Sequence, residues 1–182
     1  SGMSFDDYVD EEIFRPLGMR YATFRQPLPE SLAAQMSSGY PKWGEDAKPF
    51  EIIGPAPAGS LSASGADMAR FMLAHLNGGE LDGRRILSAA TAAVMHDSPL
   101  DEVNPRSLIP PLNRMELGFF ETDINGREVI AHLGDTSAFH TSLHLFMNER
   151  AGLYASFNGT GREGAAGVVR SELFQEFADR YF

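Results

Sequence analysis

Residues 116–158, ELGFFETDINGREVIAHLGDTSAFHTSLHLFMNERAGLYASFN, decide the fold. Here the apolar period changes from helical to strand-like. LGFFETD (117–123) and REVIAHL (127–133) flank Asn125-Gly126, a pair that tolerates positive φ and suits a two-residue hairpin turn. AFHTSLHLFM (138–147) and GLYASFN (152–158) flank a second turn at NERA. The expectation is an antiparallel meander of four strands. From about Glu163 to Tyr181, the residues Val169, Leu173, Phe177 and Tyr181 recur every four positions, which predicts a helix laying that face on the meander. Strands collected at one end of the chain after helices read as an α+β fold.

Upstream, Ser4 and Asp7 form an S-x-x-D capping pattern, with Phe5, Val9 and Ile13 following at helical spacing and Pro16 and Gly18 ending the helix. Ser64 and Asp67 repeat the pattern before Met68, Phe71, Met72 and Leu76, and Asn77-Gly78-Gly79 stops that second helix. A shorter helix is expected from Ser88 to about His96. Between Pro27 and Gly59 periodicity is lost. Met36, Tyr40, Trp43, Phe50, Ile52 and Ile53 lie in this stretch, which reads as an ordered connection because a solvated linker would not hold so many large apolar residues. The helix at 64–77 and the last helix are expected to cover the sheet.

The 182 residues, 43% apolar and 22% charged, suit one domain with a sizeable core. A net charge of −10 argues against nucleic acid or an anionic membrane as partner. No apolar run reaches the roughly 18 residues that span a bilayer. The opening SGMSFDDYV has no basic region followed by an apolar one, so no signal peptide is expected in this chain. Without cysteine there are no disulfides, thiolate nucleophiles or thiolate metal sites.

Candidate chemistry narrows quickly. His140 and His144 share one strand face but lie roughly 13 Å apart at strand rise, too far to share a zinc ion. His75 falls in the last turn of its helix, where a partial positive charge would suit the dipole, and His96 ends another helix in the same way. A structural role is expected for these four, and neither metal nor cofactor is expected. The nucleophile elbow G-x-S-x-G is absent. Ser60, Ser62 and Ser64 alternate without a visible base, and the positions three before Lys42 and Lys48 are Gly39 and Glu45, so S-x-x-K is absent too. NGGELDGRR has neither the lysine nor the spacing of a phosphate loop.

That leaves His132 at a strand end. Gly134 permits close backbone approach to a ligand, and Asp135 and Thr136 offer backbone N–H groups beside it.

Three segments, in order, carry a resemblance: SGMSFDDYVDEEIFRPLGM, PAPAGSLSASGADMARFMLAHLNGG and HLGDTSAFHTSLHLFMNERAGLYASFN. The chain resembles the C-terminal half of the serine β-lactamase and penicillin-binding-protein-like family, in the branch near class C β-lactamases, esterases and D-aminopeptidases. The resemblance implies acylation of a serine held in S-x-x-K, proton relay by the tyrosine of Y-x-N, and a third motif, K-T-G or H-x-G, lining the pocket. On this sequence His132 takes the cationic or donor position, Gly134 the glycine, and Asp135 the oxyanion-hole N–H, with Thr136 on the same rim.

The first two motifs are missing, since the tyrosines are followed two places on by Asp10, Thr23, Lys42 and Ser156, and Tyr181 is too near the end. In the family both precede the point matching residue 1. The expectation is therefore a single C-terminal portion of a longer hydrolase, helices and loops over roughly 1–115 and strands plus the last helix over 116–182, inactive by itself. Its expected partners are a small amide, β-lactam or ester in the intact protein, and either the missing N-terminal half or a second copy paired through strand 152–158. The resemblance implies a periplasmic or otherwise extracytoplasmic location. Leu133 replaces the family's hydroxyl or small residue and Ala138 a common glycine; both departures weaken a β-lactamase or peptidase assignment and leave esterase-like or unknown specificity open. The competing class is a non-catalytic ligand-binding or sensor module with a degenerate pocket, and upstream sequence discriminates the two.

Overall fold

The computed structural model describes residues 1–97 and 114–182; the end of the helical and loop region, 98–113, lies outside the described residues. Strands β3 (Phe120–Ile124), β4 (Arg127–Asp135), β5 (His140–Phe146) and β6 (Ala151–Phe157) form one antiparallel sheet in the order β3-β4-β5-β6. Asn125 and Gly126 have φ of +56° and +72°, the pair of left-handed residues that a type I′ turn requires. The α+β expectation therefore holds, with both hairpins at the turns read from sequence.

Alternation sends every second residue to one face. Ile130, Leu143 and Leu145 point to the side where helix α5 (Gly65–Leu76) lies, and they pack with Met68, Met72 and Ala74. Val129 and Phe146 point to the other side, against Phe177, Ala178 and Phe182 of helix α7 (Ala165–Tyr181) and its end. The sheet is thus sandwiched between two helices. Ser64 caps α5 by accepting from Asp67 N–H, and Ser88 caps α6 (Ala89–His96) through Thr91 N–H.

The first helix corrects one expectation. Ser4 caps α1 (Phe5–Val9), but Pro16 does not end the helix. The chain passes through a π-helical turn, Asp10–Phe14, into α2 (Arg15–Leu17), and Gly18 in the left-handed region makes the stop. Proline has no N–H to give the ladder, and Arg15 N–H bonds instead to the carbonyl of Asp10.

The last helix corrects another. Its buried residues are Ala166, Phe174 and Ala178, with Arg170 on the same stripe, whereas Val169, Leu173 and Tyr181 are exposed. The face is rotated from the expected one because the sheet beneath offers His144 and Asp135, which Phe174 and Arg170 meet.

ELDGRR, which lacks the lysine and spacing of a phosphate loop, has a structure of its own. It forms a hairpin of β1 (Glu80–Leu81) and β2 (Arg84–Arg85) about Asp82 and Gly83, both at positive φ. The 27–59 connection is ordered, with short helices α3 (Glu30–Ala33) and α4 (Ala56–Gly59), but not mainly by burial, since Trp43, Ile52 and Tyr40 are exposed. It is pinned by polar contacts. The Gln26 side chain bonds both N–H and C=O of Ile53, and Ser60 Oγ donates to Phe24 O or Ala56 O.

His75 and His96 share a 2.8 Å hydrogen bond inside the core, against Phe119. Burial, with His96 beside it, pushes His75 down to about 4; burial also lowers His96. His75 is therefore neutral at pH 7, and the expected charge at the helix end does not exist. Burial, with Arg170 nearby, likewise puts His144 at about 4.

Two outcomes follow from this packing. Leu145→Ala removes a fully buried side chain facing α5 and is expected to cost about 2–5 kcal/mol, read by urea unfolding. His75 and His144 stay neutral in the fold while the unfolded chain protonates near its ordinary value. Stability is therefore complete above pH ~6.5 and falls toward pH ~4, by about 2 kcal/mol per histidine at pH 5. His144→Gln is expected to flatten the pH 7 to 5 decline by about 2 kcal/mol, the share of that one histidine.

Candidate functional site

A cavity of about 610 Å³ opens above the α5 side of the sheet. Its floor is Thr141, Tyr154 and Ser156 of β5 and β6, and its walls come from the 26–37, 50–53 and 59–66 segments. Tyr21 and Phe139 also line it. Burial raises the Tyr154 phenol, and a hydrogen bond with Ser156 opposes the shift.

The four residues singled out from sequence fall in different settings. Thr136 lines the cavity, while its Oγ1 accepts from the N–H groups of Ala138 and Phe139 in the turn after β4. Gly134 faces Thr141 so closely that a Cβ would sit 2.6 Å from Thr141 Oγ1, whose hydroxyl donates to Gly134 O. His132 is exposed on that sheet face, in one cross-strand row with Leu143 and Tyr154, and outside the cavity lining.

Asp135 turns its side chain to the opposite face. There His140 Nδ1 lies 2.7 Å from its carboxylate, and Arg170 of α7 donates at 2.9 and 3.4 Å. Desolvation opposes ionisation, but the hydrogen bonds from His140 and Arg170 outweigh it and hold the carboxyl below its usual range. Arg170 also donates to Thr141 O, tying α7 to the start of β5.

The backbone of this segment has its own geometry. Pairing of β3 with β4 ends at Phe120 opposite Ala131, so His132 to Asp135 run past it. Thr136 N–H donates to Phe139 O, which sets the alternation. The N–H groups of His132 and Gly134 face β5, and those of Leu133 and Asp135 face the side that β3 does not reach. Among the described residues no strand pairs there.

The connection's cavity wall and the Arg170 clamp escaped sequence reading. Only tertiary contact brings Ile53 to Gln26. One signal for Arg170 existed: a lone cation inside the stripe 166-170-174-178 asks for a buried anion. Among the described residues, no group of three or more His, Asp or Glu side chains could hold a metal ion.

Residues 1–174 match the family model described as Beta-lactamase, and the chain belongs to that family. It is 33% identical over 103 residues to penicillin-binding protein 4 of Amycolatopsis lactamdurans, covering 52% of this chain and 26% of that protein. Its fold is similar to that of an octameric penicillin-binding protein homologue from Pyrococcus abyssi (TM-score 0.70, 16% identity, 98% of this chain and 38% of that one). It is equally similar to a β-lactamase from Sulfitobacter sp. EE-36 (TM-score 0.70, 14% identity, 98% and 55%). The chain thus spans about a quarter of that curated relative and about half or less of these solved ones.

Gly134→Ala forces the new methyl against Thr141 and is expected to cost about 1–3 kcal/mol, measured by thermal or urea unfolding. Adding Thr141→Ala is expected to recover most of that loss, because the clash is with the hydroxyl.

Proposed function

We propose that this chain is the C-terminal part of a serine hydrolase of the β-lactamase family, acting through an acyl-enzyme on an amide, a β-lactam or an ester. The observation that carries this reading is the free edge at His132–Asp135, beside the rim residue Thr136. Attack on a carbonyl puts negative charge on its oxygen, and fixed N–H donors aimed at that oxygen stabilise the charge. The Asp135 N–H belongs to a rigid strand, points outward and has no strand partner among the described residues. Its carboxylate does not oppose the role, because it lies on the far face, paired with the Arg170 guanidinium and hydrogen-bonded to His140.

Gly134 keeps the strand smooth where a ligand approaches, and exposed His132 is the side-chain donor on the same edge. The nucleophile and base come from sequence beyond these 182 residues, since S-x-x-K and Y-x-N are not among them and the chain spans only part of its relatives. Leu133 in place of a hydroxyl favours an ester over a substrate read through its carboxylate. The family's extracytoplasmic setting extends to this protein in the same reading. Among the described residues no helix is long and apolar enough to cross a membrane.

Two measurements test the reading. The 182-residue chain alone is expected to leave nitrocefin and p-nitrophenyl acetate unhydrolysed and to take no label from a fluorophosphonate. Turnover that the fluorophosphonate blocks would place a nucleophile inside the chain and refute the division of labour. In the intact protein, His132→Ala is expected to lower kcat/KM by about tenfold or more. His140→Ala and His144→Ala are expected to act mainly through stability, and equal catalytic losses from all three would remove His132 from the site.

A further inference from the structure

The residue whose N–H the proposed reading gives to a substrate oxygen is an aspartate, and its side chain has the wrong charge for that work. Three covalent bonds separate the Asp135 nitrogen from the carboxyl carbon, a span of about 4 Å at most. An oxygen accepting from the N–H sits about 2.9 Å beyond the nitrogen. The carboxylate therefore lies within roughly 7 Å of the place where negative charge develops. That is shorter than the ~8 Å over which physiological salt screens exposed charges. Desolvation opposes ionisation of Asp135, but the hydrogen bonds from His140 and Arg170 outweigh it and keep the group charged. Like charges at this separation repel, so the N–H can serve only if the carboxylate has a counter-charge.

Arg170 is that counter-charge, and the fold delivers it. It stands in the buried stripe of α7 with Ala166, Phe174 and Ala178. The stripe is seated on the sheet by the Phe174 ring against the His144 ring and by Ala178, which packs with Val129 and Phe146. The Arg170 side chain is 15% exposed. Its guanidinium donates to Asp135 Oδ1 at 2.9 Å, to Asp135 Oδ2 at 3.4 Å and to Thr141 O at 3.1 Å. Beside Asp135 and His140, this part of the sheet offers α7 only Ser142 and His144, whose Oγ and Nδ1 are buried without a hydrogen-bond partner among the described residues. Burial, with Arg170 nearby, keeps His144 uncharged. Among the described residues Asp135 is the one carboxylate paired with Arg170. The backbone on either side of Asp135 is already tied, Gly134 by its pairing with Thr141 and Thr136 by the bond from its N–H to Phe139 O. What Arg170 adds at Asp135 itself is positive charge.

We infer that Arg170 is a positioning residue of the site: it draws the Asp135 carboxylate to the α7 face and cancels its charge, which frees the Asp135 N–H to stabilise a developing oxyanion. The inference rests on the hydrolase reading above and deepens it. Arg170 acts through Asp135 rather than on the substrate. A guanidinium suits the task because its fixed donors reach both carboxylate oxygens and Thr141 O at once. A neutral ester carries no charge for the carboxylate to repel, whereas the tetrahedral intermediate does. The arginine therefore bears on the chemical step and not on ester binding, and its loss is read in kcat rather than in KM.

The test uses the intact protein that contains these residues. With p-nitrophenyl acetate, Arg170→Gln is expected to lower kcat by about tenfold or more and to leave KM within about twofold, since glutamine keeps a donor for Thr141 O but carries no charge. Phosphonylation by a fluorophosphonate, which builds negative charge on an oxygen in the same place, is expected to slow by a similar factor. Arg170→Lys keeps the charge and is expected to regain most of the rate. Adding Asp135→Asn to Arg170→Gln is expected to bring kcat back to within about threefold of the wild type, because it removes the uncancelled carboxylate. Lost packing would not be repaired that way. Arg170→Met, also uncharged, takes the place of Arg170→Gln should that variant fail to fold, with the same repair by Asp135→Asn. An active wild type whose Arg170→Gln variant keeps its rate overturns the inference. So does a slow Arg170→Gln that Asp135→Asn leaves slow, since the arginine would then act through packing alone. A wild type that neither turns over the ester nor takes the label refutes the hydrolase reading itself, and the role of Arg170 falls with it.

Discussion

The structure depends on the placement of β5. This strand is buried on both faces from Ser142 to Phe146, and each face meets a different helix. Leu143 and Leu145 belong to the core with α5, and His144 and Phe146 to the packing with α7. A slip of one residue would turn His144 into the methionine-rich core and Leu143 toward Arg170, inverting every contact at once. The register of β5 is therefore strongly specified, and through its pairing with β4 it fixes where His132, Gly134, Asp135 and Thr136 emerge.

The same placement distributes charge. The end of β4 could present its carboxylate to the cavity or to the back of the sheet. Strand alternation puts it at the back, where Arg170 and His140 bind it. What is left there is backbone: outward N–H groups at the strand edge, a glycine whose Cβ would meet the Thr141 hydroxyl, and a threonine rim. Arg170, by holding both Asp135 and Thr141 O, also makes α7 part of the support for that edge.

The core below shows how histidine serves packing. His75 and His96 satisfy one another through a single hydrogen bond, and His144 lies against Phe174 at a ring distance of 3.7 Å. In each case burial favours the uncharged ring. The family fold is retained at 14–16% identity to the two solved relatives because such a core asks for apolar alternation and turn chemistry, not for particular residues.

Much of this was legible in the residues themselves. Period-two alternation, Asn125-Gly126, and the serine caps at 4, 64 and 88 act within a few residues of chain, so local pattern sufficed for four strands, both hairpins and three helix starts. Tertiary structure alone decided three things. It chose the face of α7, because the stripe Ala166–Arg170–Phe174–Ala178 is preferred over Val169–Leu173 only when Asp135 and His144 lie beneath it. It built the cavity wall, because Gln26 meets Ile53 across a connection without periodicity. It separated the Asp135 side chain from its own N–H, because strand alternation and the early end of β3 together set which group faces α7 and which the open edge. Sequence carries information over the reach of a turn or a helix repeat; these three outcomes depend on groups tens of residues apart, whose contact exists only once the sheet has formed.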